Sequence, residues 1–147
     1  MPDGLTLAEF GLALVLLAGL AFVLYIVGRR RWLSSQGWVF DCSLRDLTTT
    51  PSTGWVLGVA RLNGEAVEWY RVLSMSLRPK RIMERRAVQV VATRAAAAHE
   101  RAVLYDQQRI AEVHGEGLAV ELAMAEAPMT AFLAWMEAAP PGGRGYR

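Results

Sequence analysis

The longest apolar pattern in the chain is a run of nineteen uncharged residues at positions 10–28, which reads FGLALVLLAGLAFVLYIVG. As a helix it would be about 28 Å long, close to the ~30 Å hydrocarbon core of a bilayer. A backbone in lipid must satisfy its own hydrogen bonds, and the run has no polar stripe of the kind that a soluble core helix shows. The pattern therefore predicts a transmembrane helix at 10–28 after a short external N-terminus at 1–9.

The charges around this run predict its orientation. No Lys or Arg precedes it, whereas three arginines and a tryptophan follow it directly: Arg29, Arg30, Arg31 and Trp32. The positive-inside rule then places the N-terminus outside and the rest of the chain in the cytoplasm, as a single-pass protein of the plasma membrane. The acidic start of the chain and the bulky residues before the arginines favour an uncleaved anchor over a signal peptide. We interpret these four residues as the membrane interface, with a specific lipid-headgroup site as the alternative.

A basic flank and linker follows at 29–53. Within it, WVFDCSLRD at 38–46 alternates apolar and polar residues and predicts a possible strand. Cys42 shares the apolar parity with Phe40 and Leu44, which indicates a small buried side chain rather than a nucleophile. LTTTPSTG at 47–54 predicts a loop.

The clearest local signal is a β-hairpin in GWVLGVARLNGEAVEWYRVL. Two β-favouring runs flank Asn63-Gly64, a pair that favours a two-residue type I′ turn. This turn would place Ala60 opposite Val67 and Gly58 opposite Trp69.

Further short runs predict more strands. SLRPKRIMERR contains Pro79 and predicts an irregular or edge strand. AVQVVATR, RAVLYD and RIAEVHG predict strands, and GLAVELAMA places apolar residues on one side and Glu121 on the other. The stretch RAAAAHERAVLYDQQRIAEV is also rich in helix formers, so a helix or a loop remains an alternative there.

The last element changes period. In APMTAFLAWMEAAPP, four apolar residues recur at i, i+3, i+4 and i+7: Met129, Phe132, Leu133 and Met136. This stripe predicts a helix that packs on the strands and ends before two prolines. The tail at 140–147 is predicted to be disordered.

Charge and composition limit the functions to consider. Between positions 37 and 139 there are eleven Arg and Lys against twelve Asp and Glu, so the net charge of +2 comes from the flank and the tail. Nucleic-acid binding would require a basic face on the folded domain, and none is predicted. The single cysteine excludes an internal disulfide.

The sequence shows no recognisable reaction chemistry. It lacks a Gly-rich phosphate loop, HExxH, CxxC and GxSxG, and its two histidines lack ligand spacing, so we predict no catalytic residue, metal, cofactor or small-molecule substrate. The best candidate for lipid or partner binding is a basic cluster: Arg78, Lys80, Arg81, Arg85 and Arg86. A solvated edge strand is the alternative, because Lys and Arg protect sheet edges from aggregation.

The order of predicted elements resembles a pleckstrin-homology-like domain at 54–139. Such a domain is a small, mainly β (α+β) barrel of about seven antiparallel strands closed by a C-terminal helix, and Trp135 lies where these helices usually carry a tryptophan. Members that bind phosphoinositides have a basic loop between their first two strands. Here the corresponding turn, Asn63-Gly64, is uncharged, so headgroup binding in that pocket is not expected.

The whole chain also resembles domain-of-unknown-function family 2550, short single-span bacterial membrane proteins. The similarity lies in the span followed by arginines, in GW at Gly54-Trp55, and in the segments NGEAVEWYR, SLRPKRIMERRAVQV and MTAFLAWME. The resemblance implies an actinobacterial origin and, in some members, a gene beside the ATP synthase operon. It implies no activity.

These observations together predict a membrane-anchored, non-enzymatic binding or scaffold module. Its expected partners are membrane lipids and a bacterial membrane protein complex of which it would be an accessory component. ATP synthase is a candidate through the gene neighbourhood of the family alone. The alternative is a small membrane-tethered hydrolase or transferase with an unrecognised site.

Overall fold

The computed structural model describes residues 4–35, 37–49, 54–105 and 107–138. The chain divides into two compact units, Met1–Gln36 and Gly37–Arg147. The predicted disordered tail at 140–147 and part of the predicted loop at 47–54 lie outside the described residues.

The first unit contains one helix, α1 (Gly4–Ser35). Its stretch Ala8–Trp32 is long and apolar enough to cross a bilayer, and its apolar side chains are exposed rather than packed in a core. The helix extends past the predicted span of 10–28 at both ends. Arginines can continue a helix beyond the hydrocarbon because their long side chains reach toward water. The orientation of the helix stays a prediction.

The second unit is an α+β domain of eight strands and one helix. The elements are β1 (Trp38–Asp41), β2 (Ser43–Asp46), β3 (Gly58–Asn63), β4 (Ala66–Arg71), β5 (Arg81–Glu84), β6 (Val88–Ala95), β7 (Arg109–Gly115), β8 (Leu118–Met124) and α2 (Glu126–Glu137). They form two antiparallel sheets of four strands each, in the orders β1-β3-β4-β5 and β2-β8-β7-β6.

The segment at 38–46 joins the two sheets. It breaks at Cys42, so that β1 pairs with β3 in the first sheet and β2 pairs with β8 in the second. The Cys42 backbone N–H donates to the Gly58 carbonyl at 3.0 Å, and the Trp69 indole donates to the Cys42 carbonyl at 2.8 Å. The compact unit therefore begins at Gly37, earlier than the predicted boundary at 54.

The core lies between the sheets and under α2. Both sheets contribute alternate side chains, and the apolar stripe of α2 covers them as its period predicts. Met129 and Phe132 are buried, while Leu133 and Met136 are partly buried against the same cluster. The remaining buried members are Phe40, Cys42, Leu44, Ala60, Val67, Trp69, Met83, Ala111, Val113, Val120, Leu122 and Met124.

The predicted hairpin exists, but its predicted register is wrong by two residues. The turn is Gly64-Glu65, Ala60 lies opposite Trp69, and Gly58 lies opposite Arg71. Within the turn only Gly64 has a positive φ, of 57°, as in a type II′ turn, which needs glycine first. The indole still lies over Gly58 diagonally, since a Cβ there would be 2.3 Å from it.

Two further expectations differ from the structure. The eight strands do not form a closed barrel, because β5 and β6 do not pair in the described part of the chain. The described part of RAVLYD, residues 101–105, is neither strand nor helix, since residues 98–103 form turns. The reason is the Glu100 carboxylate, which accepts a hydrogen bond from the Ala97 N–H at 2.9 Å and also binds Arg94. The loop alternative for this region is confirmed, as are the predicted edge strand β5 and strands β6, β7 and β8.

Candidate functional site

Two residues of the predicted basic cluster have structural partners. Arg81 forms an ion pair with Asp46 at 2.5 Å. The Arg85 side chain is 8% exposed; it pairs with Glu65, donates to the Trp135 carbonyl at 3.1 Å and lies over the Trp135 ring. Hydrogen bonds from Thr48, and then the neighbouring Arg81, lower the pKa of Asp46, so that carboxylate remains charged at neutral pH. These contacts connect β5 to its surroundings.

The other three residues of the cluster are exposed. Arg86 approaches Glu65 at 3.7 Å, a distance at which the interaction in water is weak. Arg78 and Lys80 form no ion pair with any residue that the structure describes. Arg78 lies before β5, whereas Lys80 adjoins it and its N–H donates to the Trp69 carbonyl of β4, so protection of the edge strand stays the alternative for Lys80. Arg78 and Lys80 are therefore the two cations of the cluster that form no ion pair in the described chain, and a binding role for the five residues stays a prediction.

This connection between β4 and β5, residues 72–80, is also apolar; we call it the β4–β5 segment. Leu73 is 87% exposed, Met75 68% and Leu77 50%. Sequence reasoning missed these residues, although their alternation with serines in LSMSL was a visible signal. A half-buried strand shows the same alternation, but here residues 73–79 pair with no strand of the described chain.

The β4–β5 segment has a defined backbone. Its ends are fixed by hydrogen bonds from Val72 N–H to the Leu57 carbonyl at 3.2 Å and from Lys80 N–H to the Trp69 carbonyl at 2.8 Å. Inside it, the Ser74 and Ser76 hydroxyls each accept a hydrogen bond at 3.2 Å from the N–H two residues later. Such local bonds let serines stabilise a turn. The segment therefore presents apolar and basic side chains from an ordered support.

A second polar cluster lies on the face of the second sheet that points away from the core. Arg94 binds Glu100 at 2.6 and 2.8 Å and Glu121 at 2.8 Å. Arg45 also pairs with both carboxylates and lies under the Trp55 ring, 4.6 Å from its centroid. Sequence reasoning missed this cluster, because its members are distant in sequence and the only local signal was Glu121 in an apolar strand.

The electrostatics of this cluster indicate a structural role. Hydrogen bonds from Arg94, together with one from the Ala97 N–H, outweigh the effect of burial and lower the pKa of Glu100 to about 2. A general acid or base works best with a pKa near the operating pH, which Glu100 is far from. The cluster fixes the loop before β7 to the sheet.

The remaining reactive groups are also constrained. Burial, and then the adjacent Asp41, raise the pKa of the Cys42 thiol, so this buried residue is not the thiolate that reacts. His114 contacts Glu112 at 2.7 Å on β7. Across the described ranges, no three His, Cys, Asp or Glu side chains are grouped so that they could hold a metal ion. The prediction that the chain is not an enzyme stays a prediction.

The predicted membrane-interface residues lie in the last turns of α1. Successive helical residues are about 100° apart, so four consecutive residues surround the helix. Arg30, Arg31 and Trp32 are exposed there, whereas Arg29 is buried. The three exposed residues suit the end of a span, and the assignment of all four to a membrane interface stays a prediction.

The family model described as "Protein of unknown function (DUF2550)" matches residues 14–142. The chain belongs to this family. Among the relatives of this DUF2550 protein, an uncharacterised protein of Mycobacterium leprae (strain TN) is 31% identical over 130 residues, covering 86% of this chain and 88% of the relative. An uncharacterised protein of Mycobacterium tuberculosis (strain H37Rv) is 30% identical over 131 residues, covering 86% and 87%. No solved structure matches the chain.

Proposed function

We propose that this DUF2550 protein is a membrane-anchored binding module. In this proposal α1 crosses the plasma membrane, the arginines after it keep the β domain in the cytoplasm, and the β4–β5 segment is the binding surface. The observation that carries the proposal is the exposure of Leu73 at 87% in a segment that also holds Arg78 and Lys80, two exposed cations that form no ion pair with a described residue.

The surface is both apolar and basic, because Leu73 and Leu77 are exposed in the same segment as Arg78 and Lys80. Elsewhere the large charged clusters are internally paired, as in Arg45, Arg94 and their two carboxylates. Single exposed leucines are common, but several apolar side chains grouped on a fixed backbone are typical of interaction sites. The serine hydrogen bonds and the bonds at the two ends hold the backbone of the segment in place, so its conformation does not depend on burial of its leucines.

The fold gives further support. A meander of strands, a return to the second sheet and a closing helix is also the order of a pleckstrin-homology-like domain, so we include a distant relation to those domains in the proposal. Such a relation would favour a role in binding at a membrane. The open gap between β5 and β6 is where this chain departs from the closed form.

An enzymatic role receives no comparable support. The buried carboxylates are paired with arginines, and the buried thiol has a raised pKa. The expectations that the chain is an accessory component of a membrane complex, and that ATP synthase is that complex, stay predictions.

A cysteine-reactivity experiment tests the proposed binding surface. Leu73→Cys and, as control, Val103→Cys are placed separately in the full chain; both positions are exposed, and Cys42 is buried and silent. Native membranes are opened so that a polar maleimide reaches both sides, and each rate is divided by the rate in the unfolded chain. An unoccupied surface would let the thiol at position 73 react at least as fast as the thiol at position 103, since Leu73 is the more exposed.

If the segment is occupied, the thiol at position 73 will react several times more slowly than the thiol at position 103. Equal rates, or a faster reaction at position 73, would refute the binding surface whatever its ligand is. The comparison does not depend on which side of the membrane the domain occupies.

A further inference from the structure

We infer that the β4–β5 segment binds the bilayer itself, with its leucines among the lipid chains and its cations on lipid phosphates. This assignment, which rests on the proposed function, names the ligand of that surface. Leu73 and Leu77 would enter the boundary between headgroups and acyl chains. Arg78 and Lys80 would bind the phosphates of anionic lipids.

The order of side chains along the segment suits such a boundary. The apolar positions come first and the cations follow at the exit toward β5. Lys and Arg can keep their stems beside apolar groups while their charged ends reach phosphates or water. Apolar side chains beside basic ones are the combination that binds anionic membrane surfaces.

The size of the surface favours lipid over protein. A stable protein interface buries about 800 Å² on each partner and usually has an apolar centre with a shaped complement. The segment offers only Leu73, Met75 and Leu77 as large exposed apolar side chains, which makes it a small protrusion. A bilayer requires no matching pocket. A domain already held at the membrane also needs little intrinsic affinity, because its effective lipid concentration is high.

The sheet geometry determines how the domain would approach the surface. The chain enters the first sheet at Trp38, which lies opposite Leu62 near the hairpin turn. The β4–β5 segment leaves the opposite end, after Arg71. The length of β3 separates the two ends by about 20 Å. Both ends reach the membrane if the strands of the first sheet lie along it.

The charge available for lipid is small and specific. Arg81 and Arg85 are neutralised by Asp46 and Glu65, which leaves Arg78 and Lys80 as the cations of the segment. Binding should therefore require anionic lipid and weaken as salt rises, since exposed charges are screened within about 8 Å at physiological ionic strength. A matched pair of control charges is provided by two exposed residues of the second sheet and its preceding loop, Arg101 and Arg109.

The test uses the full chain reconstituted in lipid vesicles that contain no other protein. A polarity-sensitive fluorophore is attached at Leu73→Cys or, as control, at Val103→Cys. The vesicles contain phosphatidylcholine alone or with phosphatidylglycerol, equally in both leaflets, and carry a quencher on the lipid chains. Because both leaflets have the same lipid composition, the β domain contacts the same lipids whichever way the chain inserts.

We expect the label at position 73 to shift to the blue and be quenched in anionic vesicles, while the label at 103 stays solvated. Arg78→Gln with Lys80→Gln should remove the difference between anionic and neutral vesicles. The control variant, Arg101→Gln with Arg109→Gln, removes the same amount of charge and should keep the difference between anionic and neutral vesicles.

Three outcomes would overturn the lipid assignment: an unquenched label at 73, equal quenching at 73 and 103, or full retention of the anionic effect in the Arg78 and Lys80 variant. An unquenched label at 73, together with a protected thiol at that position in native membranes, would identify a protein as the ligand, and the proposed binding function would stand. An unprotected thiol at position 73 in native membranes would refute both the lipid assignment and the proposed binding function.

Discussion

At the scale of single residues, Glu100 shows how a polar side chain determines a loop that local propensity does not. The sequence around it is rich in helix formers, yet the carboxylate binds Arg94 across to the sheet and accepts the Ala97 N–H. These charged hydrogen bonds replace water that a 3% exposed carboxylate has lost. Removing one partner of such a pair leaves a buried group unsatisfied.

The first prediction concerns this residue. Glu100→Gln keeps the size of the side chain but removes its charge, and it should lower the free energy of unfolding by about 1.5–3 kcal/mol. Glu116→Gln, in an exposed turn, is the control and should change it by less than about 0.5 kcal/mol. Urea unfolding followed by tryptophan fluorescence measures both. If the two variants were equally stable, the loop would not depend on the carboxylate.

A second prediction follows from the lowered pKa of Glu100. Its folded-state value of about 2 lies below the ordinary 4.5, so the ionised form stabilises the fold above pH 4.5. That contribution should disappear as the pH falls from about 5 to 2. Unfolding free energy measured over this range should therefore decrease more steeply in the natural chain than in Glu100→Gln. Parallel curves would show that Glu100 does not titrate as described.

At the scale of elements, the long periodic patterns predicted the structure best. The apolar run predicted α1 and the stripe from Met129 to Met136 predicted α2, because each pattern records which face avoids water. The hairpin register failed because tertiary contacts decide it. Trp69 must cover Gly58, and the Asn63 side chain donates to Glu68 from a strand position at 3.0 Å.

The candidate site was predictable only in part, for the same reason. Five basic residues were visible in sequence, but their partners Asp46 and Glu65 are distant in the chain from the cations they bind, so sequence could not separate paired from unpaired cations. The exposure of Leu73 was equally hidden. Alternating apolar and polar residues predict a strand. Whether a neighbouring strand is available for pairing depends on the tertiary fold, which the alternation does not reveal.

The third prediction concerns α2. Phe132 is 1% exposed within the main core, so Phe132→Ala should lower the free energy of unfolding by about 3–5 kcal/mol through lost burial and a residual cavity. Thr130→Ala, on the exposed side of the helix, should cost much less. Thermal unfolding of both variants tests this, and a melting temperature for Phe132→Ala equal to the control would show that α2 is not part of the core.

At the scale of the whole molecule, the proposed function combines two features that are weak alone. An apolar helix by itself would determine only where the protein is located. A small surface of leucines and two cations by itself would bind a ligand with low affinity. Held at a membrane, the same surface acts at high effective concentration. The family match from residue 14 to 142 includes part of the helix and all of the β domain, which is consistent with the two acting together.

The most direct test of a membrane-anchored cytoplasmic module is the sidedness of the two ends of the chain. Asp3→Cys and Val103→Cys are placed separately in the full chain and treated with a membrane-impermeant maleimide in intact spheroplasts and after lysis. Buried Cys42 contributes no signal in the folded protein. We predict that position 3 reacts in intact spheroplasts and that position 103 reacts only after lysis. Reaction of position 103 in intact spheroplasts would place the β domain outside the cell and contradict the proposed cytoplasmic module.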